Sequence, residues 1–293
     1  GAAELGLSGP VDAAAFEKVL KGKLPNGSVL DAKRGEHRPG WDLTMSASKS
    51  VSVLALVGGD QRLVDAFRQS AQATLAWVER NLAEGRLMKN GQQVPERTGN
   101  LVTAAFLHDA NRADEPQLHV HNVLANATRT SDGKWHALRS DALYDRQHVI
   151  DAVLNADFRA RVEGLGYETL PARNPIDGSF EIRGVPREAV EAFSRRSAEI
   201  QAYLDARGLQ GTPRERELAA LATRDPKNPV LSPEQRGEGW RALAAEHGID
   251  AGRLVEVALA RAGRAETVWS QVVKGVRGVG ERGLAVAARM GLT

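Results

Sequence analysis

Two runs of strand-like composition, Asn100–His108 and Leu118–Thr128, are separated only by the charged, proline-containing stretch Asp109–Gln117, and this short link most narrows what the chain can fold into. A connection of nine residues sets the two runs side by side as an antiparallel pair. The pair carries three of the seven histidines: His108 closes the first run, and His119-Val120-His121 lies at the start of the second. Side chains at i and i+2 of a strand share a face, so His119 and His121 project together. In antiparallel register His108 falls opposite His119 and adds a third imidazole.

Three neutral imidazoles suit Zn, Mn, Ni or Fe better than bare Mg, and three protein ligands leave positions open for water or a substrate oxygen. Such a centre can polarise a phosphoryl or carbonyl oxygen, or lower the pKa of a bound water, and histidines alone do not choose between these. An isolated H-x-H is more often an exposed polar stripe; the third histidine is what argues against that here. His37, His136, His148 and His247 lack such company and read as ordinary surface or helix-end residues.

Composition removes several classes. With 293 residues, 42% of them hydrophobic, the chain can build one large or two medium cores. No apolar run approaches the ~20 residues of a membrane-spanning helix. The absence of cysteine excludes a disulfide scaffold and a Cys-ligated metal. A net charge of +2 gives no general nucleic-acid footprint. The arginine-rich cations suit phosphate and guanine contacts, but a GC-rich genome would produce the same bias. The chain opens Gly-Ala-Ala-Glu without a leader pattern and ends in the Gly- and Val-rich Val273–Thr293, so it reads as a fragment that continues at both ends.

Along the chain, Val11–Leu20 has helical spacing and Trp41–Ser46 alternates as a half-buried strand. Asp60 offers an N-cap to a long amphipathic helix running to Leu82, and Asn90-Gly91 reads as a type I′ hairpin turn. Trp135–Leu138 reads as a further strand, Asp141–Val162 as one helix, and Tyr167–Leu170 with Ser179–Ile182 as a small hairpin around Asp177-Gly178. From Pro186 onward the pattern is helical and basic, broken at Asp225–Pro229, with Pro186 and Pro233 fitting first-turn positions. The expected architecture is α/β (α+β): an antiparallel β-sheet flanked by helices, with a helical C-terminal part. The expected division is residues 1–185 as the core with the metal site, 186–255 as the helical part, and 256–293 as the start of a following segment.

The H-V-H pair and its upstream histidine occur with Gly40-Trp41-Asp42-Leu43-Thr44-Met45-Ser46 and Lys49-Ser50-Val51-Ser52. In order along the chain come also Glu4–Gly9, Thr98–Val102, Glu115–His119, Leu165–Glu168 and Phe193–Ser197. Together these resemble the relaxase domain of the MobF (TrwC/TraI-like) conjugative relaxases, members of the HUH endonucleases. The resemblance covers roughly residues 3 to 250. It implies a palm-like antiparallel sheet on which His108, His119 and His121 hold one divalent metal ion, Mg, Mn or Zn. That cation would polarise the scissile phosphate of single-stranded DNA at a plasmid origin of transfer while a tyrosine attacks, leaving a 5′-phosphotyrosyl link and a free 3′-hydroxyl.

The same resemblance implies that Asp42 is the acidic residue beside the nucleophile, as general base or orienter. Lys49 follows the family's loop, although Ser48 stands where proline is usual. The family's catalytic tyrosines lie upstream of the segment at which this chain begins, so the fragment is expected to hold metal and DNA without nicking. Packing is expected to account for all three tyrosines present, Tyr144, Tyr167 and Tyr203, and Tyr144 is the alternative nucleophile if the chain were an HUH replication initiator. A catalytically inactive origin-binding remnant and a His-metal hydrolase unrelated to DNA are further readings. Candidate DNA contacts are Arg34, Arg38, Trp41, Lys49, Arg112, Trp135, Arg139, Arg195 and Arg196. Implied partners are single-stranded and hairpin origin DNA, accessory relaxosome proteins and a type IV secretion coupling protein, in the cytoplasm and without membrane insertion. No G-x-x-x-x-G-K-[ST] loop occurs, so ATP-driven unwinding would lie elsewhere.

Overall fold

The computed structural model describes residues 1–30, 38–172, 177–223 and 231–264. Arg34, His37, the Asp225–Pro229 interruption and the Val273–Thr293 end lie outside the described residues. A short 3₁₀ turn and helix α1 (Ala13–Leu20) precede strand β1 (Gly40–Ser46), helices α2 (Lys49–Leu56) and α3 (Gln61–Leu82), and the hairpin β2 (Glu84–Lys89) and β3 (Gln92–Arg97). Strands β4 (Thr103–Ala110) and β5 (Pro116–Ala125) come next, then the two-residue pair β6 (Thr128–Arg129) and β7 (Trp135–His136). Helices α4 (Asp141–Asp145) and α5 (Gln147–Gly164) lead to the hairpin β8 (Thr169–Pro171) and β9 (Phe180–Ile182). The helices α6 (Arg187–Ala192), α7 (Arg195–Asp205), α8 (Pro213–Ala222), α9 (Pro233–Glu246) and α10 (residues 251–264) follow.

The centre is a three-stranded antiparallel sheet in the order β1-β5-β4. The expected pairing of β4 with β5 is present, and β1 adds to the other side of β5. Along β5 burial alternates: Leu118, Val120, Asn122 and Leu124 are buried, whereas His119, His121 and Val123 are half-buried. The buried set and Met45 of β1 form one face of the sheet, against which α2 and α3 pack. Helix α2 is buried almost all round, so it shows little amphipathic periodicity. Hydrogen bonds from Gln117 to Ala47 O (2.8 Å) and from Leu118 N to Ser52 Oγ (3.1 Å) seat it against the start of β5. On its other side Ser50 Oγ bonds Glu181 and accepts from Ile182 N (2.8 Å).

Behind α2 and α3, Phe67 meets Phe158 of α5 edge-on at 5.3 Å, and Phe158 meets Phe180 at 5.5 Å. Trp240 and Ala244 of α9 and Ala251 and Ala258 of α10 belong to this same cluster, so the helical C-terminal part shares its core with the mixed body. At Gly166 the chain has φ +92° and a Cβ would stand 2.1 Å from Ala258 O, so only glycine lets the turn after α5 approach α10. Among the described residues no helix is long and apolar enough to cross a membrane.

Several boundaries differ from expectation. Helix α1 begins at Ala13 because Asp12 is its cap, accepting from Ala15 N at 2.7 Å. The single helix expected over 141–162 is two, with Arg146 at φ −116° between them. The second long strand ends at Ala125, and Thr128–Arg129 pairs instead with Trp135–His136. Pro186 precedes α6 as its cap residue, whereas Pro233 does occupy the first turn of α9. Asn90 and Gly91 have φ of 51° and 79°, as a type I′ turn requires.

Asp60, 5% exposed, caps α3 and gathers Arg62 (2.6 and 2.9 Å) and the Tyr167 hydroxyl (2.7 Å). Burial pushes the Asp60 carboxyl up, but the hydrogen bonds from Arg62 and Tyr167 reverse this and leave it below the ordinary value. A carboxyl held low stabilises the fold fully above its unfolded pKa of about 3.9 and loses that contribution as pH falls through the folded value. Urea midpoints measured from pH 6 downward should therefore fall more steeply below about pH 4 in the parent than in Asp60→Asn. Parallel curves would show that Asp60 is not the group being titrated.

Candidate metal and DNA site

The face of the central sheet opposite α2 carries the polar cluster. Strand register places Ser46 opposite His119, Thr44 opposite His121, and His108 opposite His119 from the other side. The three imidazoles converge, with ring centroids 5.2 Å (His108–His119), 5.2 Å (His108–His121) and 5.1 Å (His119–His121) apart. A ring centroid lies roughly 3.2 Å from a metal bound through one of its nitrogens, and three such centroids at tetrahedral angles stand about 5.2 Å apart. The spacing therefore fits a shared cation.

Two of the rings are also aimed. His121 Nδ1 lies 2.6 Å from Asp42 Oδ2, and His119 Nδ1 lies 2.8 Å from Gln117 O. A carboxylate and a carbonyl accept here, so each Nδ1 donates and each Nε2 keeps its lone pair for a cation. Thr44 completes the Asp42 contact: its hydroxyl donates to Asp42 Oδ1 (3.2 Å) and lies 3.0 Å from His121 Nδ1. Burial lowers the His119 pKa, the Gln117 carbonyl opposes this, and the neighbouring His121 and His108 add to the lowering. His119 is thus held in the neutral form that a metal requires.

His108 differs. It is exposed, and its imidazole makes no hydrogen bond among the described residues. Its ring stands 22° from parallel with that of His119 and 87° from that of His121. No three His, Asp, Glu or Cys side chains among the described residues are already set as a metal cage. The donor set nonetheless fits: three nitrogens, two of them with outer partners, on a face open to substrate.

The cationic candidates separate into two groups. Arg38 is exposed, with its guanidinium 5.1 Å from the Trp41 ring centre next to Asp42. Arg112 lies half-buried in the β4–β5 connection, and the Arg195 side chain is 67% exposed beside it, with its guanidinium 3.4 Å from Glu115 Oε1 and 3.3 Å from Ala113 O. The others are more fully engaged within the fold. Lys49 Nζ donates to Pro116 O at 3.0 Å, and burial drives its pKa down while Glu115 and Glu181 oppose the shift. Arg139 pairs with Asp141 (2.7 Å) and Glu84 (3.2 Å). Arg196, 18% exposed, donates to Ala220 O (2.6 Å) and Thr223 O (2.7 Å) at the C-terminal end of α8.

The tyrosines stand away from the histidine face or are occupied. Tyr167 is buried on Asp60, and its pKa is raised by that burial and by the hydrogen bond to Asp60. Tyr203 lies under Arg207 at 3.6 Å. Tyr144 is 62% exposed on α4, which packs on α3, whereas the histidines project from the opposite face of the sheet. Arg236, Trp240 and Glu115, which hold the β4–β5 connection, were not legible as site residues. Their partners Asp109, Asp114 and Arg195 lie 127, 126 and 80 positions away, and no local spacing announces such contacts.

The antiparallel sheet thus presents three histidines and a histidine-bonded carboxylate together on one open face. The model of the TrwC relaxase family matches residues 1–247, and the chain belongs to that family. It is 42% identical over 262 residues to the multifunctional conjugation protein TraI of Escherichia coli, an alignment covering 85% of this chain. That alignment spans only 14% of TraI. Among solved structures, the conjugative relaxase TrwC in complex with OriT DNA in its metal-free form superposes with a TM-score of 0.80 at 36% identity, covering 86% of this chain and 88% of that one. The metal-bound TrwC–OriT complex gives 0.78 at 36% identity over 86% and 88%.

The ring chemistry is open to direct measurement. In ¹⁵N–¹H correlation spectra of the metal-free chain, His119 and His121 should both appear as Nδ1–H tautomers, and Asp42→Ala should abolish that preference for His121 alone. The His119 titration midpoint should lie below about 6.5. A His121 tautomer unaffected by Asp42→Ala would break the assigned contact.

Proposed function

We propose that this chain is the relaxase portion of a conjugation protein, nicking and transferring one strand of plasmid DNA at an origin of transfer. The observation that carries the reading is the convergence of the three imidazoles beside Asp42 on an open sheet face. His108, His119 and His121 would hold one divalent cation, and Mg, Mn and Zn are the candidates. When bound, the cation offsets the charge that develops on the oxygens of the scissile phosphate.

The rest falls to the chain's own groups. Asp42 fixes the His121 ring through Nδ1 and, being half exposed, can accept the proton of a phenol brought to this face. In the transfer, the phenol oxygen forms a bond to phosphorus as the bond to the 3′ oxygen breaks, leaving a 5′-phosphotyrosyl link and a 3′-hydroxyl. Arg38, Arg112 and Arg195 would contact phosphates of single-stranded or hairpin DNA, with Trp41 as a stacking surface. Lys49, Arg139 and Arg196 would support the elements that present them. Residues 1–185 would hold the site, 186–255 would embrace DNA, and 256–293 would lead into the following segment. The same reading places the protein in the cytoplasm with accessory relaxosome proteins and a type IV secretion coupling protein as partners.

The deciding experiment is adduct formation on a single-stranded origin oligonucleotide with Mn²⁺. The chain extended by its native upstream sequence should form a covalent protein–DNA adduct, and His119→Ala should lower its rate at least about 100-fold. The 293-residue chain alone should bind the oligonucleotide without forming the adduct. An adduct from the chain alone that disappears in Tyr144→Phe would favour an initiator instead, and binding without any adduct from the extended chain would favour a non-catalytic remnant.

Salt dependence tests the cation assignment. Arg195→Gln should reduce the slope of log affinity against log salt by about 1. Arg196→Gln should leave that slope unchanged and instead lower the thermal midpoint, since its donors serve α8 carbonyls.

A further inference from the structure

Of the three imidazoles, His119 and His121 are oriented by hydrogen bonds at Nδ1, and both stand on β5, the strand paired on each side. His108 has neither advantage. It occupies the last regular position of edge strand β4, and the register with β5 breaks immediately after it, between His108 and Ala110. Regular pairing with β5 ends at His108, so what holds the next residue of β4 also limits where the His108 imidazole can stand.

The extra residue is on β5, where Gln117 and Leu118 together face the single Asp109 of β4, and Asp109 is held from outside the sheet. Arg236 of α9 places Nη2 3.1 Å from Asp109 Oδ1 and 3.0 Å from Oδ2. The Arg236 side chain is only 15% exposed, and its Nε is buried without a hydrogen-bond partner. Burying a guanidinium this incompletely satisfied costs free energy, so the Asp109 carboxylate, its ion-pair partner among the described residues, is the contact that this burial serves. The rest of the connection is tied to the same helical part. Trp240 Nε1 donates to Asp114 O at 2.6 Å, and Arg195 N donates to the buried Glu115 Oε1 at 2.6 Å.

We infer that Arg236 is a positioning residue for the metal centre: through Asp109 it holds the end of β4 opposite the β5 bulge and thereby fixes where His108 stands relative to His119 and His121. The inference rests on the three-histidine reading above. It makes the C-terminal helices part of the metal site although they supply no ligand to it.

The sign of one measurement separates this role from simple electrostatics. Arg236→Met keeps much of the buried volume and removes a positive charge near the site, leaving Asp109 uncompensated. Acting only through space, that change tightens binding of a divalent cation. Acting through position, it weakens it. Titrating the 293-residue chain with Co²⁺ alone, by calorimetry and by the visible spectrum of the bound ion, should show about tenfold weaker binding and an altered spectrum in Arg236→Met. Arg236→Lys should restore most of the affinity. If Arg236→Met does not melt cooperatively, Asp109→Glu decides: it keeps the charge, lengthens the arm, and should also weaken Co²⁺ binding.

Parent-like or tighter binding in the deciding variant overturns the role of Arg236. If His119→Ala abolishes binding in that same experiment, the three-histidine reading survives the loss. If instead the parent takes up no Co²⁺, or His119→Ala and His108→Ala bind it as the parent does, the three-histidine reading fails and this inference fails with it.

Discussion

The pairing register of β5 is the constraint on which the rest of the molecule depends. A strand has two faces and a period of two, so a slip of one residue would carry His119 and His121 into the core and Leu118, Val120 and Leu124 into solvent. Three large apolar side chains against α2 and α3 make that exchange prohibitive. The hydrophobic face thereby sets where the polar face points. Neighbours on both sides of β5 then bring Thr44 opposite His121, and His108 opposite His119.

Rigidity is unevenly distributed over the polar face. The two histidines of β5 inherit order from backbone ladders on both flanks and from outer hydrogen-bond partners. Asp42 reaches its histidine from an adjacent strand, across 79 positions of sequence. His108 depends on the last paired position of an edge strand and a turn gripped by distant helices. A single core joins these regions, with Trp240 and Ala258 in contact with the cluster that also contains Met45 and Phe67.

The sequence reveals most where local periodicity is strong. Alternation announced β1, strand-like composition announced β4 and β5, the Asn90-Gly91 pair announced its hairpin turn, and Asp60 announced the start of α3. The opposition of His108 and His119 followed from the short connection, because so few residues leave little choice of register. Helix α2 was not legible, since a helix buried on all sides has no polar stripe to mark its period. The break at Arg146 left no mark either, because no glycine or proline stands there. The roles of Arg38, Arg139, Arg195 and Arg196 could not be told apart from composition. Only three-dimensional partners show that Arg196 serves helix carbonyls while Arg195 faces outward.

The close approach at Gly166 bears on where this unit ends physically. The family match stops at residue 247, yet Ile249, Ala251 and Ala258 are buried, and the Ala258 carbonyl rests where any side chain at 166 would have to go. A chain cut after 247 would keep every histidine and still lose α10, which forms the other wall of a cleft along Gly166, Tyr167, Arg183 and Gly184. The statistical edge of the family and the mechanical edge of the fold are therefore different places. The second lies at least a helix further on.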